Sequence, residues 1–246
     1  MPVESPSPHT FVLVHGAWHG GWCWSKVAGH LRASGHKVYT PTLTGLGERS
    51  HLLNPDITLH TFVQDIVNVL VWEDLSEVVL VGHSFGGLVI TGVADILRER
   101  LRQLVYLDAF ILDNGVSTFD TLPDDIVAKL RAMTAAQPIP SLPAPKPKSL
   151  GLFDADDIAF VESRLTPHPL GAYETALQLQ YPVGNGLPCA YVHCTAPSFA
   201  AVEGSRQWVR ENTSWDWSEL EAGHDAMVSA PGLLAERLET LAYSAR

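Results

Sequence analysis

Short apolar runs alternate with segments whose apolar residues recur every third or fourth position, and the alternation carries through most of the chain. Phe11-Val12-Leu13-Val14 is a continuous apolar run closed by His15-Gly16, the pattern of a strand covered on both faces. A helix is predicted from about Trp22 to Ser34, with Gly35 as its left-handed cap. Lys37 to Thr40 is the next strand, stopped by Pro41. From Ile57 to Asp74, Leu59, Phe62, Ile66, Val69 and Leu70 fall at helical spacing, behind Thr58 or Thr61 as N-cap. Val78 to Val81 reads as a third strand, Ser84 to Arg100 as a helix, and Leu104 to Leu107 as a fourth strand. Strands alternating with helices imply parallel strands joined by crossovers, hence a mostly parallel open α/β sheet with helices on both faces.

After Asp113 the alternation stops. Between Gly115 and Leu187, helices are predicted over Asp124 to Thr134 and Asp154 to Leu165. They are separated by P-I-P-S-L-P-A-P-K-P-K, which cannot be a helix interior or a central strand and is expected as extended loop. Alternation resumes with Ala190 to His193 as strand, Ser198 to Glu211 as helix, Trp215 to Leu220 as strand and Pro231 to Ala242 as helix. The chain therefore divides into a core, residues 1–114 and 188–246, and an inserted segment, 115–187, expected to sit as a helical cap above the strand ends.

Composition narrows the function classes. Of 246 residues, 46% are hydrophobic and 17% charged, which argues for a packed globule and against disorder. A formal charge of −11 disfavours nucleic acid and anionic membrane surfaces as partners, because both would repel an acidic protein. The opening M-P-V-E-S-P-S-P-H-T has neither the basic start nor the apolar stretch of a secretory leader, and no run is long enough to cross a bilayer, so a cytoplasmic protein is expected. Cys23, Cys189 and Cys194 are too few and too irregularly spaced for a disulfide framework or a zinc site. Oligomeric state is not legible, and a homodimer through cap or edge surfaces is compatible with the sequence.

The chemistry-bearing pattern is Gly82-His83-Ser84-Phe85-Gly86, a G-x-S-x-G between a strand and a helix, followed by Gly87. Such a turn strains the serine backbone and leaves no room for side chains on its flanks, so Ser84 is the candidate nucleophile and not only a helix cap. A serine hydroxyl needs a base. His224, in the loop after the last predicted strand, is the best placed of the eleven histidines, because carboxyl-terminal loops of a parallel sheet gather along one edge. The loop His15-Gly16-Ala17-Trp18-His19-Gly20-Gly21 leaves the first strand at that edge, and the amides of Ala17 and Phe85 are the expected oxyanion donors. His15 and His19 lack a third ligand nearby, which argues against a metal there. His83 is expected to point into the fold.

V-H-G-A-W-H-G-G-W-C-W, V-G-H-S-F-G-G and G-H-D-A-M together resemble the α/β-hydrolase superfamily, and more narrowly its branch of plant methyl-ester esterases, hydroxynitrile lyases and bacterial esterase relatives. The resemblance implies the α/β-hydrolase fold, a Ser-His-acid triad, no metal or organic cofactor, and small, often aromatic or otherwise hydrophobic ester substrates. Two departures qualify it. The lyases carry a lysine after the catalytic histidine and a threonine where this chain has Gly16; here the neighbour of His224 is Asp225, so hydrolysis is favoured over cyanohydrin cleavage. The family's acid usually stands just beyond the strand matching Tyr191 to Cys194, and Pro197 occupies that place. Asp108, at the end of the fourth predicted strand, is the expected substitute, with Glu203 and Asp113 as alternatives.

The expected substrate pocket draws on Gly16, Trp18, Phe110, Phe119, Leu122, Phe153 and Met227. The sequence thus supports a serine carboxylesterase acting through an acyl-enzyme, with a small-molecule ester as its partner. A hydroxynitrile lyase and a catalytically slow ligand-binding protein on the same fold are the competing readings.

Overall fold

The computed structural model describes residues 8–211 and 214–244. The residues 1–7 read above for a leader lie outside them. Among the described residues there are eight strands: β1 (Thr10–Val14), β2 (Lys37–Tyr39), β3 (Val78–His83), β4 (Leu101–Leu107), β5 (Ser141–Leu142), β6 (His168–Pro169), β7 (Cys189–Cys194) and β8 (Asp216–Leu220). Six of them form one sheet in the order β2-β1-β3-β4-β7-β8, and every neighbouring pair is parallel.

The strands are short apolar runs because both faces are covered, and alternate residues serve opposite cores. Val12, Val14, Leu80, Leu104, Tyr106 and Tyr191 join one cluster with side chains of α2 (Leu59–Trp72), α3 (Gly86–Leu97) and α7 (Glu203–Glu211). Phe11, Leu13, Val79, Val81, Val105 and Val192 join the other, with α1 (Ser25–Ala33) and α9 (Pro231–Ser244). The expected caps are in place. The amide of Thr58 donates to Thr61 Oγ1 at 3.1 Å at the start of α2, and Gly35, at φ +90°, lets the amide of His36 reach back to the carbonyl of Leu31 after α1.

Boundaries move by a few residues. Trp22 lies in a single 3₁₀ turn, Gly21–Trp24, before α1, and α3 begins at Gly86 because Ser84 is held in a left-handed conformation. The segment between β4 and β7 carries α4 (Asp124–Thr134), α5 (Ala155–Glu162) and α6 (Leu170–Glu174). Its proline-rich stretch is more ordered than expected: Ser141–Leu142 pairs antiparallel with His168–Pro169, and Pro147–Leu150 forms a 3₁₀ turn. This segment reaches both cores, Leu142, Leu170 and Tyr173 packing on the side of α2 and α3, Leu152 and Val161 on the side of α1 and α9. Among the described residues no helix is long and apolar enough to cross a membrane.

Candidate active site

The loops that carry the candidate residues leave the carboxyl ends of β1, β3, β4 and β8, which a parallel sheet brings to one edge. Three non-glycine residues at that edge sit at positive φ: Trp18 at +65°, Ser84 at +52° and Asp108 at +40°. Such conformations cost about 1–3 kcal/mol each and persist where surrounding bonds over-determine them. For Ser84 those bonds are its amide to the carbonyl of Leu107 at 3.1 Å and its carbonyl to the amide of Phe110 at 3.0 Å. The flanking glycines are required by contact: a Cβ at Gly82 would stand 2.6 Å from the carbonyl oxygen of Gly86, and one at Gly86 would stand 2.8 Å from that of His15.

Asp108 is wholly buried, and its two oxygens are divided between two partners. Oδ2 lies 2.7 Å from Nδ1 of His224, and Oδ1 lies 3.3 Å from Nη1 of Arg206. With the Nδ1 proton of His224 committed to Asp108, Nε2 is left to accept a proton. The His224 ring is stacked on Phe199 at 3.8 Å between centroids, and its carbonyl accepts from Nε2 of His83 at 3.0 Å. Ser84, His224 and Ala17 line one cavity of about 550 Å³. Among the described residues no protein acceptor takes the amide protons of Ala17 or Phe85.

A second buried pair lies beside this one. His19 Nε2 is 3.1 Å from Asp225 Oδ2, and His19 Nδ1 is 2.8 Å from the carbonyl oxygen of Ala17. Burial opposes the charged imidazole, but the Asp225 carboxylate and the two hydrogen bonds outweigh it and raise the pKa of His19. Burial likewise works against the Asp225 carboxylate, and His19 with its hydrogen bond brings the net pKa below the ordinary value. His15 is different: the amide of Leu43 donates to its Nε2, its Nδ1 donates to the carbonyl of Gly16, and burial lowers its pKa to about 3. Both nitrogens of His15 and of His19 are therefore engaged by protein groups.

A model of the alpha/beta hydrolase family matches residues 11–237. The chain belongs to the alpha/beta hydrolase family. The hydrolase is 38% identical over 241 residues to a carbendazim hydrolyzing esterase of Nocardioides sp. (strain SG-4G), covering 94% of this chain and 98% of that protein. It is 38% identical over 121 residues to the putative methylesterase 11, chloroplastic, of Arabidopsis thaliana, covering 49% of this chain and 31% of that protein. Among solved structures it is similar to an extracellular alpha/beta-hydrolase from a Paenibacillus species, with a TM-score of 0.82 and 26% identity over 96% of this chain and 99% of that one. With such relatives the hydrolase is an ester hydrolase.

The cavity of the hydrolase is walled by Trp18, Phe110, Leu122 and Leu150, whereas Gly16, Phe119, Phe153 and Met227 lie elsewhere. Phe153 is 67% exposed on the surface, whereas the preceding Leu152 is fully buried in the cluster of α1 and α9, so the chain presents adjacent residues to opposite sides. Met227 is fully buried in the cluster of α1 and α9, because it falls on the inner side of the short helix α8 (Ala226–Ser229). Phe119 packs behind the wall, its ring 6.0 Å from that of Tyr173. Gly16 lies beneath Ser84, where a Cβ would stand 2.9 Å from that of Ser84. Of the alternative acids, Glu203 is bound to Arg206 at 2.6 Å and Asp113 accepts from Trp208 Nε1 at 3.2 Å. Asp225 is not an open negative charge in the pocket, being fully buried against His19.

Sequence reasoning missed Phe199, Tyr173, Trp208 and Arg206. The first three line the cavity from α6, α7 and the loop after β7, and nothing in their spacing marks them. Arg206 had one available signal: a carboxylate buried at Asp108 needs a cation as well as a histidine to satisfy both oxygens.

Proposed function

We propose that this hydrolase cleaves small carboxylic esters bearing an apolar or aromatic group, through an acyl-enzyme formed on Ser84. The observation that carries the reading is the 2.7 Å contact between Asp108 and His224 beside a cavity shared with Ser84. In this reading Ser84 Oγ attacks the ester carbonyl carbon as its proton passes to His224 Nε2. Asp108 holds the imidazole in the required tautomer and offsets its charge. The carbonyl oxygen becomes an oxyanion between the amides of Ala17 and Phe85. The proton then goes to the departing alkoxide, and water, activated by the same imidazole, releases the acid and regenerates Ser84.

The cavity walls support the substrate class. Trp18, Phe110, Leu122, Leu150 and Phe199 offer apolar surface, so the organic group of the ester is selected by shape and burial. Three buried cysteines, none in a disulfide, accord with a reducing, cytoplasmic setting. A panel of chromogenic alkyl and aryl esters, with methyl esters and carbendazim included because of the relatives' names, tests the reading together with a fluorophosphonate probe. Turnover and covalent labelling, both abolished in Ser84→Ala, are expected. Labelling without turnover on any ester would favour a binding protein, and cyanide release from a cyanohydrin without ester cleavage would favour a lyase.

A further inference from the structure

The His19–Asp225 pair is not part of the Asp108–His224–Ser84 line, yet it joins the two loops on which that line depends. His19 stands two residues after Ala17 and Asp225 directly follows His224. Both partners are buried, and their contact spans 206 residues of sequence. The geometry points to a latch: the His19–Asp225 pair holds the backbone of Ala17 in register with the loop of His224, so that the oxyanion donor and the proton acceptor are set as one unit. His19 and Asp225 are thus positioning residues, and the inference rests on the reading of Ala17 and His224 given above.

Hydrogen-bond chemistry fixes the charge state that the latch needs. A carbonyl oxygen and a carboxylate oxygen are acceptors only, and they face the two nitrogens of His19 at 2.8 Å and 3.1 Å. Both ring nitrogens must therefore donate, which makes His19 an imidazolium. Loss of either proton would turn a ring lone pair toward an oxygen and open one side of the latch. The carbonyl that His19 holds belongs to Ala17 itself, so the bond limits rotation about that residue, next to Trp18 in its left-handed conformation. On the other side, the amide of Asp225 donates to the carbonyl of Leu150 at 3.0 Å, which extends the tie to the segment inserted between β4 and β7.

The other titratable groups around the pair are His15, His83, His224, Cys23 and Cys194. Burial lowers the pKa of His15 and His83 and raises that of Cys23 and Cys194, so none of these four supplies the positive charge that Asp225 requires. His83 Nε2 is 3.8 Å from Asp225 Oδ1 and already donates to the carbonyl of His224. The sign of the pH effect follows: the pKa of His19 is raised above the ordinary 6.5 in the folded protein, so the latch is complete below that ordinary value and opens as pH rises through the raised one.

The test compares kcat and KM across pH for the wild type, His19→Ala and Asp225→Asn on one chromogenic ester, with thermal melts beside them. His19→Ala is expected to lower kcat by about 10², the scale of a misplaced oxyanion donor, with KM nearly unchanged. In the wild type kcat falls on the alkaline side. In Asp225→Asn that fall disappears, because the asparagine amide can donate to neutral His19, which keeps its Nδ1 proton on Ala17. A folded His19→Ala with wild-type kcat, or one alkaline limb common to all three proteins, would overturn the latch. Should His19→Ala not fold, Asp225→Asn preserves the volume, and nitrogen-15 NMR of the wild type needs no substrate. Protons on both ring nitrogens of His19 are expected there below pH 6.5, and a single neutral tautomer would overturn the proposal. The two readings fail separately: ester turnover surviving Ser84→Ala sinks the nucleophile assignment, whereas strict dependence on Ser84 with indifferent His19 and Asp225 variants sinks only the latch.

Discussion

Arg206 Nη1 and His224 Nδ1 approach opposite oxygens of the same buried carboxylate, Asp108, at 3.3 Å and 2.7 Å. Neither contact alone would satisfy a carboxylate with no access to water, and together they do. Arg206 is itself anchored by Glu203, whose Oε2 accepts from Nε at 2.9 Å and Nη2 at 2.6 Å. The carboxylate that contacts His224 thus stands after β4, not after β7 where the family resemblance places the acid, and the helix that follows β7 contributes the arginine that steadies it.

Removing the arginine leaves Asp108 with an uncompensated oxygen. Arg206→Met is expected to destabilise the fold by about 3–5 kcal/mol, the scale for breaking one side of a buried ion pair. Glu203→Gln should cost under about 1 kcal/mol, because Glu203 is 58% exposed and water screens its side of the contact. Urea unfolding of both variants measures the difference, and equal losses would contradict the burial argument.

Asp108→Asn keeps the size of the side chain but presents an amide where His224 Nδ1 needs an acceptor for its proton. Ester turnover should fall by about 10⁴, the effect of neutralising a triad acid. The melting temperature should show that the fold survives. Near-normal kcat in this variant would return the role to Glu203 or Asp113.

Gly16 is the position where the resembling lyases carry threonine. A Cβ there would meet the Cβ of Ser84 at 2.9 Å and Nδ1 of His83 at 3.0 Å. Gly16→Ala should therefore displace the nucleophile and lower kcat on the order of 10², the scale of a misplacement near 1 Å, with little change in melting temperature. Steady-state kinetics decide it, and an unaltered kcat would mean that the loop yields without disturbing Ser84.

His168 is buried among Trp18, Phe62, Phe85 and Tyr173, and burial lowers its pKa from 6.5 to about 3. The unfolded chain takes up a proton below pH 6.5 that the folded chain refuses until about pH 3. Its contribution is thus complete above 6.5 and is lost as pH falls through that window, at up to about 1.4 kcal/mol per pH unit. His168→Phe should reduce the acid-side loss of stability by about 2 kcal/mol between pH 6.5 and pH 5. Denaturant unfolding at the two pH values is the measurement, and an unchanged pH dependence would show that the imidazole already protonates in the fold.

The hydrophobic pattern of this chain determined the six strands of the main sheet, its main helices and their parallel order, because a strand covered on both faces must be apolar throughout and a helix between strands must be apolar on one side. The glycine spacing also determined the strained turn at Ser84, since the crowding around Gly82 and Gly86 is local and leaves its mark within five residues. Which carboxylate meets His224 was decided only in three dimensions. Asp108, Glu203 and Asp113 all lie near the same sheet edge in sequence terms, and the choice came from where α7 places Arg206 and from which oxygen is left for the imidazole. The cavity wall was decided there as well: Phe199 stacks on His224 while Phe153 faces water. The same holds for the His19–Asp225 pair, whose members are separated by 206 positions. Local spacing records what neighbours along the chain require of each other, whereas the pairing of buried charges depends on packing between loops that only the closed fold brings into contact.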